Sequence, residues 1–303
     1  MITLNTERGL VKIESWQEIE ELPGFARNID PKKHKLKEII GRYIFKDFIA
    51  CGLSSCHRPH GKGYIVSTKS GPITNIGKDC GRTHFGVEFE ELSSKLEREI
   101  QLQTYRDTLG SFLICRDQYK AKLDDIRAGI DGADNLNKKA KALLKKTSAC
   151  PEEAVEIISR CARGRNPDLF RSREASREEI EELEVIQGKR LPRPYHIDEK
   201  VGRLQGISFL YPENDLRHRL VIDLGQGLIE IDSLSIDDLS HSEFKYWSGW
   251  VSEIDRKFSE AEDIIKTGRT LFRRDNLYQV TEAMTDGAAI KKYKEFIAKN
   301  CIH

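Results

Sequence analysis

At 303 residues the chain is long enough for two domains, or for one domain with a long extension. A hydrophobic content of 38% and a charged content of 33% argue against a compact enzyme barrel and fit a soluble, helix-rich protein with exposed helical faces. With 50 basic and 49 acidic side chains the net charge is +1, which excludes a whole-molecule basic field, so any nucleic-acid contact must come from a local patch.

Residues 1–50 read as a small α/β prelude. Leu10-Val11-Lys12-Ile13 alternates weakly, and Trp16 to Leu22 makes a short helix ended by Pro23-Gly24. A basic stretch with Lys32, Lys33, Lys35 and Lys37 follows, and the β-branched and aromatic run 39–49 predicts a strand. Residues 63–68 and 73–76 predict two further strands around the turn Lys69-Ser70-Gly71-Pro72. Gly77-Lys78-Asp79 then delivers Cys80 to a short helical turn.

From Val87 a long helix is expected, running to about Arg127. Leu102, Tyr105, Leu109, Phe112, Tyr119, Leu123, Ile126 and Ile130 keep alternating 3/4 spacing, broken once where Arg116 replaces an apolar residue, with a stutter near Ile100. Roughly 40 residues at 1.5 Å each span about 60 Å. Such a helix needs an antiparallel partner or a second copy of the chain to cover its stripe, so a homodimer seam is one expectation.

Three shorter helices are predicted next: 134–146, one opened by Pro151 and stopped at Gly164, and one opened by the capping box Ser176…Glu179 and stopped at Gly188. Residues 164–175 and 189–199 read as linkers. A β-meander is expected from 201–210, 216–224 and 227–234. Helices then return, with Trp247, Val251, Ile254, Phe258, Ala261 and Ile265 at 3/4 spacing as a partner for the long helix. A last helical segment covers about 276–299. The expected domains are 1–86 (zinc module at about 45–86), 87–190, and 191–303 with the meander at 200–235.

Chemistry concentrates in one window. Three of the seven cysteines, Cys51, Cys56 and Cys80, fall in residues 51–84 together with His57, His60 and His84. Zinc takes four N/S ligands in a tetrahedron, and a closed shell is structural. Cys51 and Cys56 supply one half from a tight loop, and Cys80 lies after the hairpin. The fourth ligand is open: His84 shares a helix face with Cys80 at i,i+4, and His60 sits close after Cys56. A hairpin rich in Gly, Ser and Lys has little to bury without a staple. No Glu is placed as a general base, so a catalytic metal is not expected. Cys115, Cys150, Cys161 and Cys301 are scattered and read as buried small hydrophobes.

The pattern Cys51…Cys56…Gly63-Tyr64-Ile65-Val66…Gly71…Ile76-Gly77-Lys78-Asp79-Cys80…Phe85-Gly86 resembles a small zinc-binding module in uncharacterised proteins of phages and plasmids. The resemblance covers about residues 45–90. It departs in having C-x4-C where C-x2-C is usual, and Gly81 where an aliphatic residue is common. It implies zinc binding and a DNA-handling role on a mobile element.

Lys33, Lys35, Arg58, Lys62, Lys78 and Arg82 are candidates for phosphate contact, with Tyr64 and His57 as the groups to stack bases. Lys138, Lys139, Lys141, Lys145 and Lys146 wind around a helix and read as a solvated face. Arg269, Arg273 and Arg274 near Phe272 form a further basic cluster. Asp223, Glu230 and Asp232 on the expected meander are a weaker, hydrolase-type carboxylate set.

The leading expectation is a non-enzymatic zinc-binding protein that contacts nucleic acid. The alternative is a phage-type factor that docks on a host protein complex, with the zinc purely structural. No apolar run approaches the ~20 residues of a membrane span, and MITLNTERGLVKIESW lacks a signal pattern. A reducing cytoplasm is therefore the expected compartment.

Overall fold

The computed structural model describes all residues except 8, 130, 146–148, 302 and 303; Ile130 and Lys146, named above, lie outside the described residues. The chain divides into two units, Met1–Ser111 with Ile236–Gly249, and Phe112–Ser235 with Trp250–His303. The fold is mixed α+β and mostly helical, as the composition and periodicity predict. Among the described residues no helix is long and apolar enough to cross a membrane.

The first unit is built on an antiparallel five-stranded sheet of β1 (Ile2–Thr6), β2 (Gly9–Ile13), β3 (Leu36–Ala50), β4 (Pro59–Thr68) and β5 (Ile73–Ile76), in the order β2-β1-β3-β4-β5. The hairpin expected around the cysteines is β4–β5, at one edge of this larger sheet. A short helix α1 (Trp16–Glu20) follows β2, capped by Ser15 and Glu18. Alternation along the strands sorts side chains to two faces. Ile39, Tyr64, Val66 and Ile76 form one core with Phe89, Leu96 and Ile100. Ile2, Leu4, Tyr43 and Ile65 form another with Ile19 of α1. Because β4 is covered on both faces, its run Tyr64-Ile65-Val66 is buried throughout.

The β3–β4 pairing is broken between Ile44 and Ile49, where the register shifts. Residues 45–48 bulge there, and Phe48 is left 72% exposed.

Helix α2 (Lys78–Arg127) is interrupted once, at Gly86, whose φ of 56° and ψ of −134° are not helical. This break separates the short turn carrying Cys80 from the long run expected to start at Val87. Only glycine takes such a backbone without strain.

The second unit takes the rest of α2 and then α3 (Ala133–Leu144), α4 (Glu152–Arg163), β6 (Asp168–Glu174), α5 (Arg177–Gln187), β7 (His196–Arg203) and α6 (Gly227–Asp232). After α7 (His241–Ser252), whose first residues belong to the first unit, come α8 (Ile254–Leu271), α9 (Arg274–Tyr278), α10 (Val280–Ala283) and α11 (Gly287–Asn300). Phe112 meets Trp250 edge-on with centroids 6.1 Å apart, and Tyr119 lies 5.9 Å from Phe258. The stripe residues Leu109, Phe112 and Leu123 are buried within the chain itself.

Two expectations fail in this unit. Most of 164–175 is the strand β6, and the last four residues of 189–199 open β7, which pairs antiparallel with it. Cross-strand ion pairs hold them, Arg173 to Glu199 at 3.3 Å and Lys200 to Asp168 at 2.8 Å, so hydropathy does not reveal them. The β-meander at 200–235 is absent. Its first segment is the end of β7 and a 3-10 turn (Ile207–Leu210); the others are a π-helix (His218–Gln226) and α6. The buried residues Leu216, Leu220, Leu224, Leu228 and Ile231 recur every three or four positions, which is helical spacing.

Candidate metal centre

Cys51, Cys56 and Cys80 come from three places: the end of β3, the loop before β4, and the first turn of α2. Their sulfur atoms all lie within 4.8 Å of one another, the one such group of His, Cys, Asp or Glu ligand atoms among the described residues. Cys51 is buried, and the other two are partly exposed. Three thiol groups at this separation could hold a metal ion.

Backbone donors surround the sulfurs. Burial pushes the Cys51 thiol up, and the N–H groups of Leu53 and Gly77 directed at its Sγ oppose that shift. The Arg58 N–H, followed by the Cys80 thiol, holds Cys56 below its usual value. Burial and then its Cys neighbours push Cys80 up to about 12. In both loop cysteines the donor is the N–H two residues onward, which turns the backbone around the sulfur and stabilises a thiolate there. His57 completes the second of these turns in the left-handed region, at φ 52°.

The helical turn carrying Cys80 is fixed by packing. A Cβ at Gly81 would enter the ring of Phe89, which is fully buried. An aliphatic side chain at this position would therefore displace Phe89 from the core.

Neither candidate histidine joins the three sulfurs. His60 is held in a polar chain: its Nδ1 donates to the Arg58 carbonyl at 3.1 Å, and its Nε2 accepts from the Tyr43 hydroxyl at 2.5 Å. The Tyr43 oxygen in turn accepts from Asn75 Nδ2 at 3.1 Å, and that same amide donates to the Ala50 carbonyl at 2.9 Å. Burial holds the Tyr43 hydroxyl well above its usual range, so it stays a donor. Both ring nitrogens of His60 are thus engaged. His84 is exposed, with Nε2 3.3 Å from the Ser55 hydroxyl in the loop beside Cys56.

The six basic candidates do not form one face. Lys35 opens β3, where its carbonyl accepts from Lys69, and Lys33 precedes it. Lys62 pairs with Ile44 at the other end of the strand pair. Six residues of β4 separate Lys62 from Thr68, about 20 Å at ~3.3 Å per residue. Arg58 and Lys62 flank the thiol loop and make no ion pair among the described residues, nor does Lys78. Arg82 is paired with Glu90 at 2.7 Å.

The hydrolase-type carboxylates are not a site. Asp223 lies on the π-helix 3.5 Å from His218, Glu230 and Asp232 lie on α6, and Asp232 is paired with Lys120 and Arg116. Cys150 and Cys161 are buried as expected, while Cys115 and Cys301 are only partly so. Tyr64, expected to stack bases, is instead buried and packs edge-on against Phe89 with centroids 5.4 Å apart, so it is closed to a base. The Tyr43–His60–Asn75 chain and the exposed Phe48 were not read from the sequence. Phe48 carries a readable signal, since an aromatic beside Lys46 and Asp47 interrupts the strand alternation.

No protein-family model matches the chain, and no curated protein or solved structure is significantly similar to it.

Proposed function

We propose that the first unit is a zinc-stabilised module that contacts nucleic acid and carries out no catalysis. Thiolate ligands select zinc, copper(I) or iron–sulfur clusters. A three-sulfur group completed by one histidine is a closed zinc shell. His84 is the better fourth ligand, because it lies one turn beyond Cys80 and has only the Ser55 hydroxyl as a partner among the described residues. His60 would have to abandon the Tyr43 hydroxyl.

The observation that carries the nucleic-acid reading is the exposed Phe48 on the β3 bulge, opposite the strand residues next to Arg58 and Lys62. An aromatic face beside unpaired cations stacks a base while the cations contact phosphate. Asp47 is the one carboxylate in the bulge. Lys33 and Lys35, at the far end of the strand pair, are peripheral in this reading.

The test is fluorescence anisotropy with short single-stranded and duplex DNA and RNA across a salt series. Phe48→Ala should weaken binding by about 1–3 kcal/mol, the usual worth of one stacked base. Arg58→Glu with Lys62→Glu should weaken it and flatten the salt dependence, whereas Lys33→Glu should change little. Absence of binding at low salt, or binding indifferent to all these changes, would overturn the proposal. Zinc is tested separately: His84→Ala should lose metal in elemental analysis, and His60→Ala should keep it.

A second reading, docking on a host protein complex, is favoured by Val87, an apolar side chain 70% exposed just after the Gly86 break. It predicts a pull-down partner insensitive to nuclease and salt, and lost in Val87→Asp.

A further inference from the structure

A cavity of about 790 Å³ opens at the turn between α8 and α9 in the second unit. Its wall carries Lys266, Arg269, Arg273, Arg274, Asp275 and Tyr278, four cations against one carboxylate. Asp275 is 3.4 Å from Arg273. Arg269 donates its Nε to the Asp131 carbonyl at 3.0 Å and enters no ion pair among the described residues. Lys266 and Arg274 enter no ion pair among the described residues, and the Arg274 guanidinium lies over the Tyr278 ring at 5.6 Å.

The turn is rigid. The Asn276 amide donates to the carbonyls of Leu271 at 3.0 Å, Thr270 at 3.3 Å and Gln205 at 2.9 Å, and its oxygen accepts from the Gln205 N–H at 2.9 Å. The last carbonyls of α8 are therefore already satisfied, and the surrounding cations are not needed as caps. What remains is an excess of positive charge, with Lys266 and Arg274 in no ion pair among the described residues, around a concavity whose volume lies in the range of small-molecule sites, roughly 300–1,000 Å³.

From this juxtaposition we infer that the α8–α9 turn is a phosphate-binding site of nucleotide size, distinct from the thiol centre. Guanidinium forks match phosphate oxygens in paired hydrogen bonds, and Lys266 adds a point charge. Tyr278 offers a ring beside them for a base or sugar. The phosphate belongs either to a free nucleotide or to a nucleic-acid strand, and the chemistry at the arginines is the same for both.

Calorimetric titration of the full chain with pyrophosphate, ADP and a short single-stranded DNA, at about 50 mM salt, tests this. The DNA arm uses the Arg58→Glu, Lys62→Glu background, so that the sheet surface of the first unit does not contribute. Lys266→Glu with Arg274→Glu should weaken at least one titrant by roughly tenfold or more, with thermal melting unchanged. If the reversal lowers melting, Lys266→Met with Arg274→Met carries the same comparison. Binding of ADP without DNA assigns a free nucleotide; binding of DNA without ADP assigns a strand. If none of the three binds at millimolar concentration, or the variants bind as the parent does, the site does not exist. Arg58→Glu alone should leave ADP binding untouched, which separates failure here from failure of the first unit's reading.

Discussion

The sulfur of Cys56 lies 3.2 Å from that of Cys80, although 24 residues separate the two in sequence. In a tetrahedral ZnS site with bonds near 2.3 Å, neighbouring sulfurs stand about 3.8 Å apart. A small outward movement of the thiols therefore admits the ion. Elemental analysis should give about one zinc per chain. Cys80→Ser should lose most of that zinc, and the melting temperature should fall by about 2–4 °C for each kcal/mol of lost metal stabilisation. The unit should stay folded without metal, because the sheet keeps the cores built on Ile65 and Val66. Retention of a full equivalent of zinc in Cys80→Ser would remove this centre.

Metal and proton compete for the same sulfurs, which gives opposite pH trends with and without metal. In the metal-free chain the folded Cys80 thiol is held up to about 12, by burial first, against an ordinary value of 9.0. Between those values the unfolded thiol ionises while the folded one does not, so the unfolded state binds fewer protons. Stability of the metal-free fold should fall as pH rises from 9 toward 12. The zinc-loaded protein should instead lose stability as acid protonates the thiolates. Denaturant titrations at several pH values, with and without chelator, distinguish the two; parallel trends would mean that no metal is bound.

Gly81 and Phe89 are coupled by close approach, with the ring lying where a side chain would stand. Gly81→Val should cost about 1–3 kcal/mol, the usual penalty of overpacking a core. Phe89→Leu alone should cost up to a few kcal/mol, from the cavity left at a fully buried site. The double variant should cost less than the sum, since the smaller residue at 89 makes room at 81. Additive costs in urea denaturation would show that the two do not meet.

Asn276 is buried and satisfies four hydrogen bonds at the end of α8. Asn276→Leu should leave the buried carbonyl of Leu271 without this donor and remove the two part-buried bonds to Gln205, at about 1–3 kcal/mol. It should also loosen the turn that carries Arg273 and Arg274. The expected result is a lower melting temperature together with weaker phosphate binding. Unchanged stability would mean that these bonds are not made in solution.

Much of the first unit was legible because its signals are local. The run 39–49, the turn Lys69-Ser70-Gly71-Pro72 and the start at Val87 after Gly86 each declare themselves in a few residues. The three cysteines were legible as a cluster, whereas the contact of His60 with Tyr43 on a neighbouring strand was not, because no spacing within the sequence shows that pairing. The basic candidates looked like one patch because sequence proximity hides the length of a strand, which carries Lys35 and Lys62 apart. β6 and the start of β7 were read as linker because their strands are rich in charge, and the partners Arg173 and Glu199, or Lys200 and Asp168, meet only after pairing.

The helical segment 216–231 offers the sharpest test of a misreading. Leu220, Ile222 and Leu224 are spaced by two, and a strand would place all three on one face. In the structure Leu220 and Leu224 are buried at 1% and 0% exposure, while Ile222 is 47% exposed. Leu220 and Leu224 sit four residues apart, one helical turn, and Ile222 falls on the other side. Leu220→Ala and Leu224→Ala should each cost about 2–5 kcal/mol through lost burial and a residual cavity. Ile222→Ala should cost about 0.5 kcal/mol or less, as surface changes do. Urea denaturation of the three variants decides between the geometries. Equal losses at 220, 222 and 224 would restore the strand, and a loss confined to 220 and 224 establishes the helix that a run of Leu-Val-Ile disguises.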